Sequence, residues 1–239
     1  TSDDISDQWG DAKARTGASH LMSPAVLSTV SSPFDYAART RVLVVGDVDK
    51  SNTEQVAAAY RELFMASGGG GLGLFTAISR LRGVYDRIAA PLDEAGVQVL
   101  AQHMDDLDTG TLIDIFRAEE NACLLGTDAV RDGIDVPGRS LRMIVFDRVP
   151  WPRPDILHRA RREAFGGRHY DEMLTRLKLK QAYGRLLRRK TDKGIFVMLD
   201  RALPTRLLGG FPDGVRAERM GLKDAIAEVR EFLPDEEDD

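Results

Sequence analysis

Ala122-Cys123-Leu124-Leu125-Gly126-Thr127 is apolar at odd and even positions alike and stops at a glycine and a hydroxyl residue. A strand with one wet face alternates apolar and polar side chains, so a run that is apolar on both faces belongs to a strand covered on both sides, as in parallel sheets. Runs of the same kind recur at 41–48, 72–78, 97–102, 141–147 and 195–200. Amphipathic segments at 53–66, 79–94, 109–119, 155–165 and 170–189 separate them, and 222–232 supplies another. Regular strand-helix alternation predicts a three-layer α/β domain, a mostly parallel sheet with helices on both faces. Ligands of such sheets bind at the carboxyl ends of the strands, so the loops after strands are where chemistry is expected.

With 239 residues, 43% hydrophobic and 30% charged, the chain can bury a sizeable core. Its apolar runs fall far short of the roughly 18 residues of a membrane span, and no charged-then-apolar leader opens it, so a soluble, cytoplasmic protein with no membrane partner is expected. The single cysteine, Cys123, excludes an internal disulfide framework and reads as core. The four histidines, His20, His103, His158 and His169, lack metal-ligand spacing, so no metal site is expected in the chain itself.

The net charge of −5 conceals an uneven distribution. Residues 151–206 hold fifteen Lys and Arg against six Asp and Glu, whereas 235–239 are all acidic. Either the basic block is a solvated helix face or it meets an anionic partner. Residues 1–30 are polar and without sustained period, as in a linker or the end of a preceding region; 31–220 read as the folded lobe and 221–239 as a closing helix with an acidic tail.

Gly68-Gly69-Gly70-Gly71 precedes a strand and lacks the Lys-Ser/Thr pair of a phosphate-cradling Walker A loop, so it reads as a flexible turn. Asp93-Glu94-Ala95-Gly96 follows Pro91 rather than a buried strand and reads as a helix end. Gly46-Asp47-Val48-Asp49 does not supply the glycine pattern of a dinucleotide site. The chain is therefore not expected to hydrolyse a nucleoside triphosphate by itself.

Three strings carry the functional reading. Leu72-Gly73-Leu74-Phe75-Thr76-Ala77-Ile78-Ser79 is a strand whose small hydroxyl residues open a helix, and a helix N-terminus can donate N–H groups to a phosphate. Taken alone, an apolar strand ending in Thr or Ser is common, and plain architecture is the simpler account of that string. Leu125-Gly126-Thr127-Asp128-Ala129-Val130-Arg131-Asp132-Gly133-Ile134-Asp135-Val136-Pro137-Gly138 places Thr-Asp after a buried strand and Gly-Ile-Asp beyond a short spacer; a glycine- and proline-bearing turn is the alternative, and the length of the string weighs against it. Gln181-Ala182-Tyr183-Gly184-Arg185-Leu186-Leu187-Arg188, if helical throughout, projects Gln181, Arg185 and Arg188 from one face. Two converging guanidinium groups suit the charge that spreads over a transferring γ-phosphoryl group. A salt-bridged helix face is the alternative, against which stands the glycine cost of about 1 kcal/mol at Gly184 in mid-helix.

In this order the strings resemble motifs IV, V and VI of the second RecA-like lobe of superfamily 2 helicases. Ser31-Ser32-Pro33-Phe34-Asp35-Tyr36 and Val149-Pro150-Trp151-Pro152-Arg153-Pro154-Asp155 resemble segments of the DinG/XPD type. Two positions depart from the pattern, Arg131 in place of a frequent Trp and Trp151 in place of the usual Phe. The resemblance implies a RecA-like (P-loop NTPase-type) fold and half of an ATP-dependent DNA helicase, whose ATP and Mg2+ are held mainly by an N-terminal lobe absent from this chain. It implies that Gln181, Arg185 and Arg188 act in catalysis and, with Gly133 and Asp135, bind ATP, and that Thr76, Ser79, Thr127 and Asp128 touch nucleic acid. Expected partners are single-stranded DNA or DNA junctions and the N-terminal lobe of the same polypeptide. Relatives often carry an iron-sulfur cluster on four cysteines of that first lobe; this chain lacks those cysteines. The other reading is a degenerate lobe that binds nucleic acid or protein without catalysis.

Overall fold

The computed structural model describes residues 9–10, 12–14, 16–30, 32–104 and 106–233; the opening eight residues, Asp11, Arg15, Ser31, Asp105 and residues 234–239 lie outside them. The chain divides into two units, Thr1–Pro33 and Phe34–Asp239. In the first, a short 3-10 turn covers Ala18–His20.

The second unit runs α1 (Tyr36–Arg39), β1 (Thr40–Val45), α2 (Thr53–Ser67), β2 (Gly71–Leu74), α3 (Ile78–Glu94), β3 (Gln98–Ala101), α4 (Thr109–Ala118), β4 (Ala122–Gly126), α5 (Asp128–Gly133), β5 (Met143–Phe146), α6 (Ile156–Ala164), α7 (Arg168–Tyr183), β6 (Gly194–Met198), β7 (Ala217–Met220) and α8 (Leu222–Phe232). The strands form one sheet in the order β3-β4-β2-β5-β6-β1-β7, and every neighbouring pair is parallel. All six expected strands are present, trimmed by a residue or more at their carboxyl ends, while β1, β2 and β6 begin one residue earlier than expected. The edge strand β7 was not anticipated. Its Ala-Glu-Arg-Met sequence is half exposed and polar in the middle, and it becomes a strand only through its ladder with β1.

Strand side chains alternate between two cores. Leu43, Val45, Cys123 and Leu125 face α2, α3 and α8, while Val42, Val44, Ala122 and Leu124 face the layer of α4, α5 and α7. On β2, a Cβ at Gly73 would lie 2.7 Å from the Tyr60 ring and 2.6 Å from Leu125, so the missing side chain lets an aromatic of α2 pack directly on a central strand. The glycine run before β2 is a turn, as expected, but a rigidly specified one. Gly68, Gly69 and Gly70 all have positive φ, and a Cβ at Gly70 would sit 2.3 Å from the Arg139 carbonyl oxygen. The string 93–96 does end a helix: α3 stops at Glu94, and Gly96 takes positive φ.

One expected element is wrong in extent. Residues 170–189 do not form a continuous helix; α7 ends at Tyr183, with Gly184 as its C-cap. Leu186 is drawn into the core against Gly194, where a Cβ would meet its side chain at 2.7 Å, and the Asp192 carboxylate accepts from the Arg188 and Arg189 N–H groups at 2.8 and 2.7 Å. Packing and this carboxylate turn outweigh continued helix. Gln181, Arg185 and Arg188 therefore do not share a helix face, and Gly184 is a helix end rather than a mid-helix glycine. No helix among the described residues is long and apolar enough to cross a membrane.

Candidate nucleotide and nucleic-acid faces

The carboxyl ends of β2, β4 and β5 open into a cleft of about 520 Å³ roofed by α6 and α7. Thr76, Thr127 and Asp128 lie in its wall, just beyond the ends of β2 and β4, whereas Ser79 sits exposed on the first turn of α3 outside it. Thr127 is fixed from below: its amide and hydroxyl both donate to Gln102 Oε1, at 3.1 and 2.8 Å, and Gln102 in turn donates to Thr109 at 3.1 Å. The hydroxyl is thus oriented with its lone pairs still able to accept. Asp128 bridges two cations, Arg131 at 2.8 Å and Lys178 at 3.0 Å. The Arg131 side chain is only 5% exposed and also pairs with Asp132, so the residue standing at the usual Trp position packs as a buried, doubly neutralised guanidinium.

The Thr76 amide is already engaged, donating to Asp147 Oδ1 at 3.3 Å, so it is not a spare phosphate donor. Asp147 is fully buried and pairs with Arg80 at 2.5 Å. Burial pushes its carboxyl above the ordinary value, and the Arg80 hydrogen bond and charge pull it back. The α3 N-terminus beside it has Ala77 as N-cap, no side-chain cap and no acid in its first turn. Such an end leaves N–H groups available to an anion.

Sequence reasoning missed much of the cleft, because its wall is assembled from loops far apart in the chain. Trp151, 40% exposed, lies on it with Arg153, whose Nη2 donates to the Thr76 carbonyl at 3.0 Å. Of the basic residues that the sequence left undivided, Arg161 and Lys178 line the cleft. Arg159 donates to the Pro154 carbonyl at 3.1 Å and Arg162 pairs with Asp171 at 2.7 Å, so both serve local structure. Lys180 is exposed on α7, away from the cleft wall. The available signal was the basic block itself together with the aromatic in the proline-rich loop.

A second constellation joins the loop after α5 to the turn after α7. Arg188 Nε pairs with Asp135 Oδ1 at 2.9 Å, and Arg185 Nη2 donates to the Asp132 carbonyl at 3.2 Å. Gly133 is exposed between them, and Gln181 is exposed on the last turn of α7. The two arginines thus converge on the Gly-Ile-Asp segment through a turn, by a route different from the expected helix face. Thr127 and Asp135 belong to one loop region, so the cleft and the arginine cluster are mechanically connected through α5.

Comparison with known proteins identifies the family. Residues 60–216 match the helicase C-terminal domain model. The chain belongs to the helicase C-terminal domain family. It is 35% identical over 194 residues to the ATP-dependent helicase DinG of Mycobacterium tuberculosis, covering 76% of this chain and 28% of that protein. Against the 3'-5' exonuclease DinG of Bacillus subtilis it is 31% identical over 190 residues, 74% of this chain and 20% of that protein. A solved XPD helicase superposes with a TM-score of 0.57 at 17% identity, over 76% of this chain and 35% of that one. The helicase C-terminal domain described here therefore spans under a third of the length of these curated relatives, and it has the RecA-like α/β fold of DinG/XPD-type helicases.

Proposed function

We propose that this domain is the second motor lobe of an ATP-dependent DNA helicase, 31–220 forming the lobe, 1–30 leading in from a preceding region and 221–239 appended. ATP with its Mg2+ is held mainly by an N-terminal lobe of the same polypeptide, and this chain supplies Arg185 and Arg188 to it. The observation that carries the reading is the convergence of both arginines on Asp132–Asp135. The donor set fits a triphosphate: two guanidinium groups on a tight turn, one of them on a 71%-exposed carboxylate from which it can transfer to a phosphate. An exposed pair of this sort is worth at most about 1 kcal/mol, so exchange of partners is cheap. Fixed cations at that place stabilise charge developing on the γ-phosphoryl oxygens, with Gln181 and Gly133 bordering the same face.

Single-stranded DNA, free or at junctions, runs across the cleft on this reading. Thr127, Thr76 and the α3 N-terminus near Ser79 meet phosphates, Arg161, Arg153 and Lys178 add cations, and Asp128 holds Lys178 in place. Lobe closure on ATP alters the grip through α5, which links both sites. A four-cysteine iron-sulfur cluster is outside the means of this chain, whose one cysteine is buried in β4. Cytoplasmic residence goes with this reading.

The test is ATP hydrolysis, with and without single-stranded DNA, by the longer polypeptide that carries a Walker A lobe ahead of this one. DNA-stimulated turnover should fall by about 10³–10⁵ in Arg185→Ala and Arg188→Ala. Undiminished turnover in both variants, or none in the parent, would instead indicate the noncatalytic binding lobe.

A further inference from the structure

Along α5, between the cleft and the turn that carries the arginines, polar groups touch one another in an unbroken line. Lys178 Nζ lies 3.0 Å from Asp128 Oδ2, and the other oxygen of that carboxylate accepts from Arg131 Nη1 at 2.8 Å. Arg131 Nε and Nη2 donate in turn to Asp132 Oδ1, at 3.0 and 2.9 Å. The Asp132 backbone carbonyl accepts from Arg185 Nη2 at 3.2 Å. The first member, Lys178, lines the cleft, and the last belongs to the arginine cluster.

Burial sets the middle member apart. The Arg131 side chain is 5% exposed, whereas those of Asp128 and Asp132 are 55% and 61% exposed. A buried guanidinium depends on its paired carboxylates because little water is there to replace them, while each exposed carboxylate can exchange it for solvent or another cation. The planar fork of donors lets one guanidinium serve two acids at once, which the single N–H of a tryptophan at this position could not do. A shift of the group toward one acid lengthens its hydrogen bonds to the other.

We propose that Arg131 is the positioning residue through which occupancy of the cleft governs Arg185, an inference that rests on the motor reading and names its regulation. A nucleic-acid phosphate that shares Lys178 weakens the hold of that ammonium on Asp128. Asp128 then draws the Arg131 guanidinium toward itself and loosens it from Asp132. The Asp132 carbonyl moves with its residue, and Arg185 is released toward the nucleotide. Linkage makes the effect reciprocal: a nucleotide that engages Arg185 changes the affinity for single-stranded DNA by the same factor.

Two measurements decide it. In the 239-residue chain, oligo-dT should shift the amide signals of Thr127 and Asp128 and also those of Gly133 and Asp135. In Arg131→Met the shifts at Thr127 should persist while those at Gly133 and Asp135 vanish. Asp132→Asn, at a side chain already 61% exposed, should do the same without disturbing a buried group. In the longer polypeptide with its Walker A lobe, the ATP analogue AMP-PNP should change oligo-dT affinity by about 5- to 150-fold, and by less than about twofold in either variant. A residue that merely held α5 together would alter affinity equally with and without AMP-PNP and leave that ratio intact. An intact ratio, or shifts at Gly133 that survive in both variants, would overturn the inference while the motor reading stands. An absence of any shift at Thr127 in the unsubstituted chain would overturn the reading of the cleft and this inference with it.

Discussion

Replacing Arg80 by Met should be the most damaging single change among the polar residues that shape the cleft. Asp147 is 0% exposed and has two partners in the fold, the Arg80 guanidinium at 2.5 Å and the Thr76 amide at 3.3 Å. Without Arg80 a carboxylate is left buried with one neutral donor, a situation that costs about 3–5 kcal/mol. For a domain of this size that lowers Tm by about 6–20 °C. Asp147→Asn should cost less, about 1–3 kcal/mol, because the orphaned Arg80 is 16% exposed and can reach water. The double variant should cost less than the two single costs combined, revealing the coupling. The pH dependence has a defined sign. Burial raises the folded carboxyl, so its protonated form favours the folded state; that contribution is present at acid pH and is lost as pH rises through the folded value. With Arg80 gone the opposing pull disappears, so the deficit of Arg80→Met should be greatest near neutrality and shrink toward about pH 4. Urea unfolding of the four proteins at several pH values measures all of this. A cost below about 1 kcal/mol for Arg80→Met, or one that does not change with pH, would refute the reasoning.

Three further outcomes are expected. Trp151→Ala should weaken binding of oligo-dT by about 5- to 100-fold, the loss of one base-aromatic stack, while Trp151→Phe retains most of it; fluorescence anisotropy distinguishes them. Lys178→Gln and Arg161→Gln should each lower the slope of log K against log salt by about 0.7 if they touch phosphates, and an unchanged slope would restrict them to structure. Burial pushes the Cys123 thiol up to about 12, so below that pH it stays protonated and a disulfide reagent at about pH 8 should react only after denaturant unfolds the chain.

A domain that is 31% identical to part of a protein named as an exonuclease and 35% identical to part of one named as a helicase is a module used within different chains. The chemistry of each whole protein depends on what such a domain is joined to.

The six buried strands, the layers around them and the place of the cleft were legible in the residues alone. A run such as Ala122–Gly126, apolar on both faces, has no stable place except inside a sheet covered by helices, and the parallel arrangement then sends Thr76 and Thr127 to the same edge. Helix α8 was read to its final residue because its apolar period and its start and stop are local. Long-range packing decided the rest. Gln181 through Arg188 satisfied a helical period, yet Leu186 packing on Gly194 and the Asp192 carboxylate beneath Arg188 ended α7 at Tyr183. The strand β7 exists only because β1 offers an unpaired edge. Which of the many arginines meet the cleft, and which hold Asp171 or a carbonyl, depends on side-chain partners from other elements. Periodicity records which face is buried; it carries no information about which distant groups a charged side chain finds there.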